Sequence, residues 1–261
     1  MDSNFKELCL ISEAGPFDIV GDVHGCYPEL LALLYKLGWC DLEDHTAPTL
    51  GYNSAGNTRK AVFLGDLTDR GPSSAGVLRL VMGMVAAGQA ICLKGNHDDK
   101  LARKLAGRKV RVGNGLETTL AELSAEPPEF VDQVRDFLQG LVSYYVLDGG
   151  RLVVAHAGIK EDMIGRSDDK VRAFTLYGDT TGETDELGLP VRRDWAVDYH
   201  GDATVVYGHT PVSELRWVHN TINIDTGCVF GGKLTALRYP EREIVSVPAE
   251  QAYYRREGFG A

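Results

Sequence analysis

The stretch Ile19-Val20-Gly21-Asp22-Val23-His24-Gly25 decides how the rest of the chain is read. Two β-branched residues run into a carboxylate and an imidazole two positions apart. In extended backbone, residues i and i+2 face the same side, so Asp22 and His24 can converge on one object. A metal ion is the object whose chemistry suits that pair. Glycines on either side leave room for it to approach the main chain.

The same pattern, an apolar run ending in a polar residue, recurs along the chain. Ala61–Leu64 leads to Asp66, Ala90–Leu93 to Asn96, Leu152–Ala155 to His156, and Thr204–Tyr207 to His209. Sites in α/β sheets form beyond the carboxyl ends of strands. A lone Asp at a strand end usually caps a turn, and a lone His usually packs in a core. Six such residues at successive strand ends do not reduce to caps. The set Asp22, His24, Asp66, Asn96, His156 and His209 offers oxygen and nitrogen but no thiolate, and it is too large for one tetrahedral zinc. Two metals sharing a carboxylate, about 3.5–4 Å apart, are the economical solution, and this arrangement is common in phosphate-ester hydrolysis.

The remaining elements follow from periodicity. Phe17–Val20 reads as a buried strand, and Pro28 opens a helix that Gly38 stops. Residues 41–60 read as a loop or weak hairpin. A helix spans about Ser73 to Ala87, and a helical stretch runs from about 100 to 140, broken at Pro127-Pro128. Tyr144–Leu147 is a strand, residues 159–200 are irregular, and strands Thr221–Ile224, Leu234–Tyr239 and Ile244–Val247 close the chain. The tail from Ala249 reads as a mobile or peripheral extension. This order predicts an α/β fold of two packed β-sheets with helices outside. One domain over 1–261 is expected, with insertions at about 100–140 and 159–200.

With 261 residues, 44% hydrophobic and 25% charged, the composition is that of a soluble globular protein. A net charge of −10 opposes adhesion to nucleic acid or anionic membrane, so no stable nucleic-acid complex is expected. The five cysteines (Cys9, Cys26, Cys40, Cys92, Cys228) lack C-x-x-C spacing and read as reduced thiols. Leu8–Ile11 lacks a preceding basic region, and no apolar run nears the roughly 20 residues of a membrane helix. A cytoplasmic location is expected. Gly227 to Lys233 mimics a phosphate-binding P-loop, but Leu234 follows where Ser or Thr is required and a strand follows where a helix is required, so GTP-type binding there is not expected. His45, His200 and His219 lie outside the strand-end pattern and read as surface or packing residues.

GDVHG (21–25), GDLTDRG (65–71), GNHD (95–98), HAG (156–158) and GHTP (208–211) resemble the calcineurin-like metallophosphoesterases of the phosphoprotein-phosphatase branch. GNGLETT (113–119), LYGDTTGE (176–183), LPVRRDW (189–195) and NIDTGCVFGGKLTALRYPE (223–241) look closest to the bacterial PrpE-type diadenosine tetraphosphate hydrolases. Related segments occur in the phosphatase module of bacterial polynucleotide kinase-phosphatases. The resemblance implies a metallophosphoesterase sandwich of two mixed sheets. It further implies that Asp22, His24 and Asp66 bind a first metal, and that Asp66 bridges to a second held also by Asn96, His156 and His209. Asp225 is either a water-mediated ligand or a turn residue.

In such a site two cations acidify a shared water and draw charge from the phosphoryl oxygens. Arg70 is then the guanidinium for the equatorial oxygens. His97 is the expected general acid, with Asp69 orienting its other nitrogen and keeping it cationic. Arg103 and Arg108, in a basic run after GNHD, are either a grip for remote phosphates or a solvated helix face, and Arg192 and Arg193 carry the same choice. The metals expected are two divalent ions drawn from manganese, nickel, cobalt, iron or zinc. The expected reaction is asymmetric hydrolysis of diadenosine tetraphosphate to ATP and AMP, on a small-molecule nucleotide substrate. The alternatives are a nucleic-acid-end phosphatase or 2′,3′-cyclic phosphodiesterase, and a broad-specificity protein phosphatase. Asp98 stands where eukaryotic Ser/Thr phosphatases carry Glu, which weighs against phosphoproteins.

Overall fold

Strand β1 (Phe17–Val20) is buried along its whole length, as its apolar residues require, and pairs in parallel with β2 (Lys60–Phe63). The computed structural model describes residues 13–39, 59–186 and 190–255. In the first sheet, β3 (Ala90–Cys92) continues the parallel run beyond β2, while β11 (Lys233–Tyr239) and β12 (Glu243–Pro248) add antiparallel strands on the other side of β1. The second sheet has the order β4 (Tyr144–Leu147), β5 (Leu152–Ala155), β8 (Thr204–Tyr207), β10 (Thr221–Asn223) and β9 (Trp217–Val218). Its central strands β5, β8 and β10 are parallel and its edges antiparallel. The expected pair of mixed sheets is therefore present.

Period-two alternation decides what each face buries. Phe17, Ile19 and Val62 pack between the sheets against Leu152, Val154 and Val206. Val20 and Phe63, one step out of phase, face helices α1 (Tyr27–Lys36) and α2 (Ser74–Ala86). On the far side, Val153 and Val205 meet Phe174 and Trp195. Because both sheets are covered on both faces, the polar residues just past β1, β2, β3, β5 and β8 collect at one end of the sandwich.

Several expectations are corrected here. The stretch from 100 to 140 is three helices, α3 (Asn96–Leu105), α4 (Leu116–Ser124) and α5 (Pro128–Gly140). Residues 106–115, where Gly107, Gly113 and Gly115 take positive φ, break it in addition to the prolines. Residues 159–200 are more ordered than their charge suggests: they hold α6 (Asp169–Tyr177), capped by the Asp168 side chain, and the hairpin β6 (Thr180–Thr184)–β7 (Pro190–Arg192). β9 was not foreseen, being two residues long. The tail is docked through residue 255. The amides of Tyr253 and Tyr254 donate to the Val229 carbonyl, and Glu29 Oε1 accepts from the Tyr253 hydroxyl at 2.9 Å. Gly227–Gly232 is a turn into β11, with no helix to make a P-loop.

Cys26, Cys92 and Cys228 are buried free thiols. His200 and His219 are exposed and meet edge to face. Leu8–Ile11, Cys9, Cys40, His45 and nearly all of the 41–60 loop lie outside the described residues. No helix among the described residues is long and apolar enough to cross a membrane.

Candidate active site

Asp66 leaves the end of β2 with φ of 47° and lies between two imidazoles. Its Oδ2 is 3.4 Å from His24 Nε2, and its Oδ1 is 3.5 Å from His156 Nε2. One carboxylate thus faces a separate nitrogen through each oxygen, as a bridging ligand requires. Two groups of potential ligands share it, His24–Asp66–His97 and Asp66–His156–His209, each with donor atoms within 4.8 Å of one another. Asn96 Oδ1 joins the second group, 3.1 Å from His156 Nε2. Asp22, from the end of β1, reaches the same place: both its oxygens accept from the His209 amide, at 3.2 and 3.1 Å. Residues 187 positions apart in sequence therefore meet.

Hydrogen bonds to the main chain set the tautomers. His24 Nδ1 donates to the Thr68 carbonyl at 2.9 Å, and His156 Nδ1 to the Leu64 carbonyl at 3.0 Å. Each therefore presents an unprotonated Nε2 to the cluster. His156 Nε2 looks at Asn96 Oδ1 and His209 Nδ1, both 3.1 Å away, and at Asp66 Oδ1. The lone pairs of His156 Nε2, Asn96 Oδ1 and Asp66 Oδ1, converging in this way, repel one another unless a cation lies among them, so the donor set fits divalent metal ions. Gly21 and Gly25 make room for the chain itself, since a Cβ at Gly21 would meet the Ile224 carbonyl and one at Gly25 the Gly71 backbone; two further glycines act on the carboxylates. A Cβ at Gly95 would collide with Asp66 Oδ1, and one at Gly208 with Asp22 Oδ1, so they admit the carboxylates themselves.

Burial shifts the titrating groups in opposite directions. It lifts the Asp22 carboxyl well above its usual range, helped by the charges of Asp225 and Asp66. It raises Asp66 to about 7 and lowers His156 to about 4. It also pushes His24 down, with the Arg70 charge adding to the effect. A bound divalent cation reverses the first shift and matches the second, because it favours ionised carboxylate and neutral imidazole.

His97 begins helix α3 next to Asn96. Its Nδ1 lies 2.6 Å from Asp69 Oδ2, and its Nε2 accepts from Arg70 Nη2 at 2.8 Å. Arg70 Nη1 donates to His24 Nε2 at the same distance. Burial, then the Arg70 charge, holds His97 below its ordinary value. Asp69 orients the ring, while burial and the Arg70 charge oppose its protonation. Asp69 itself is steered by Thr119, whose hydroxyl donates to Oδ1 at 2.6 Å. Asp225 is 96% buried; its Oδ1 accepts from the Gly227 amide and its charge bears on Asp22, so it carries both a turn and a place in the cluster.

The four arginines separate. Arg192 Nη2 is 3.0 Å from His209 Nε2 and lines the cavity above the cluster. Arg193 lines a neighbouring cavity and pairs with Asp179. Arg103 pairs with Asp99 on α3, and neither it nor Arg108 lines either cavity. Sequence reasoning missed Asp98, whose carboxylate accepts from the amides of Asp66, Leu67 and Gly95 and so clasps two strand ends together. It also missed the cavity residues Tyr177, Phe230, Tyr254 and Arg255. Asp98 and Thr119 lay inside quoted motifs, whereas the tail residues gave no local signal.

Residues 15–235 match the calcineurin-like phosphoesterase family. The chain is 50% identical over 244 residues to a protein of Anoxybacillus flavithermus named bis(5′-nucleosyl)-tetraphosphatase PrpE (asymmetrical), covering 91% of this chain and 96% of that one. A Geobacillus thermodenitrificans protein of the same name is 52% identical over 240 residues, covering 90% and 95%. A solved structure provisionally named a diadenosine tetraphosphatase superposes with a TM-score of 0.63 at 26% identity, covering 93% of this chain and 98% of that one. With most of its length matched and relatives at half identity, the chain belongs to the calcineurin-like phosphoesterase family.

Proposed function

We propose that this phosphohydrolase splits diadenosine tetraphosphate with one water into ATP and AMP, as a cytoplasmic enzyme. The observation that carries the reading is a pair of cavities, about 450 and 300 Å³, that meet at Arg192, His209 and Thr210. A substrate with a nucleoside at each end and phosphates between needs room on both sides of the reacting phosphorus. The shared name of the relatives at half identity supports the same reading.

In this reading Asp22, His24 and Asp66 would hold one divalent ion and Asp66, Asn96, His156 and His209 the other, and Asp225 would act through a water. Manganese, nickel, cobalt, iron and zinc all suit that donor set. Such ions, when bound, supply positive charge to the phosphoryl oxygens and make water acidic near neutral pH. Arg70 turns its guanidinium from the two imidazole nitrogens to the equatorial oxygens, where charge grows. His97 gives the proton on Nε2 to the leaving oxygen. The incoming polyphosphate supplies the negative charge that raises the imidazole, while Asp69, fixed by Thr119, keeps the ring aimed. Arg192 holds a phosphate next to His209.

The test is a metal-reconstituted panel comparing diadenosine tetraphosphate, a 2′,3′-cyclic nucleotide and a phosphopeptide by kcat/KM. The dinucleotide is expected to lead and to give ATP and AMP in equal amounts. Two ADP as products, or a lead for either other substrate, overturns the proposal.

A further inference from the structure

The larger cavity has a floor of carboxylates and imidazoles, but its upper wall is aromatic. The rings of Phe230 and Tyr254 meet edge to face, with centroids 6.4 Å apart and planes at 66°. Tyr177 lines the same cavity and is 39% exposed. Three guanidiniums, Arg70, Arg192 and Arg255, complete the lining. Phosphoryl transfer on the floor needs cations and has no use for rings.

The aromatic wall is a held structure. Phe230 sits in the turn before β11, bridged to Ala252. The segment leading into Tyr254 is fastened at three points: the Tyr254 amide donates to the Val229 carbonyl, and the Tyr253 hydroxyl and the Glu250 amide both donate to the buried Glu29 Oε1. Nucleobases stack on such rings whatever their edge, because every base has a π-face. Guanidiniums beside the rings suit the phosphates that follow the sugar.

We propose that Tyr254, backed by the buried Phe230 and flanked by Tyr177, forms a stacking site for the base of a bound nucleoside 5′-phosphate. The phosphate points to the floor, and Arg192 and Arg255 lie along the chain. The site deepens the proposed dinucleotide hydrolysis and rests on that reading for its natural ligand, but its preference for a base is measurable alone. A competing account exists, since the Arg70 guanidinium carbon lies 5.4 Å from the Phe230 centroid and 5.7 Å from that of Tyr254. The rings could serve only to hold Arg70.

The experiment titrates the full-length, metal-loaded protein calorimetrically with AMP and with ribose 5-phosphate, which share phosphate and sugar and differ in the base. AMP is expected to bind roughly tenfold tighter. Tyr254→Ala should bring that ratio close to one, Tyr254→Phe should keep it, and Tyr177→Ala, at an exposed position, should lower it in part. Equal binding of the two ligands by the wild type overturns the site. So does a Tyr254→Ala protein that weakens both ligands alike, which is the signature of a role through Arg70 alone. The ratio can be read even if diadenosine tetraphosphate proves not to be hydrolysed, so failure of that reading and failure of this site are separable.

Discussion

Asp66, Arg70 and His209, at the floor of the larger cavity, and His24 and Asp69 beneath it all hold left-handed backbone, with φ between 46° and 75°. Tyr177, Tyr254 and Arg255, on its wall, have ordinary backbone and reach solvent. Left-handed conformations at non-glycine residues cost about 1 kcal/mol or more each and persist only where the surroundings over-determine them. The floor has such surroundings. The Asp98 clasp, the carbonyls beneath His24 and His156, and the glycines against Asp22 and Asp66 leave its side chains no alternative. The wall rests on fewer bonds, from a tail and a helix end. On the proposed function, chemistry is held rigidly where charge must be placed to a fraction of an ångström, and recognition falls to side chains with more room to adjust.

If that contrast is sound, the largest loss belongs to the centre of the floor. Asp66→Asn is expected to lower kcat by about a thousandfold or more and to abolish paired metal binding, as measured by metal analysis beside steady-state rates. Two metals retained in that variant would break the bridging role. Next comes His97→Ala, expected to cost on the order of a hundredfold or more with alkoxide-like leaving groups and far less with nitrophenolate, which leaves without a proton. Equal losses on both would remove His97 as the acid.

A smaller effect concerns stability without metal. The folded Asp66 carboxyl is raised to about 7 against roughly 3.9 when unfolded. Its favourable contribution is therefore fully present below pH 4 and lost as pH rises through 7. In chelated protein, Asp66→Asn should then raise the Tm at pH 8, with the gain shrinking as pH falls toward 5. The imidazoles that burial pushes down act with the opposite sign, but both proteins share them. A gain that does not vary with pH would refute the shift. The smallest effect is expected outside the cavity. Charge reversal at Arg103 and Arg108 should leave KM within about twofold, while Arg192→Met should raise it severalfold. A large KM change at Arg103 or Arg108 would extend the substrate site onto the end of α3 and the loop after it.

The floor was legible because its ligands sit immediately after apolar strands, where position along the chain already tells position in space. β4, β5 and β8 were predicted with the bounds they have. The α6 turn and the β6–β7 hairpin escaped because they are short and their exposed residues carry no strong hydrophobic period. For Arg103 and Arg108 a phosphate grip and a solvated face were equally open in the sequence; Arg103 pairs with Asp99 on α3 and neither residue lines the two cavities.

The succession of most strands along the chain, the candidate strand-end ligands and their donor chemistry could be inferred from residues read in a line, because alternation and punctuation are local properties of a chain; the order of strands within each sheet could not. Which oxygen of Asp66 faces which imidazole, that Asp98 ties two corners together, and that Tyr254 returns to stand over Arg70 depended on folding alone. Those contacts join segments 30 to nearly 200 residues apart, and no short-range pattern encodes a distance closed only when two sheets pack face to face.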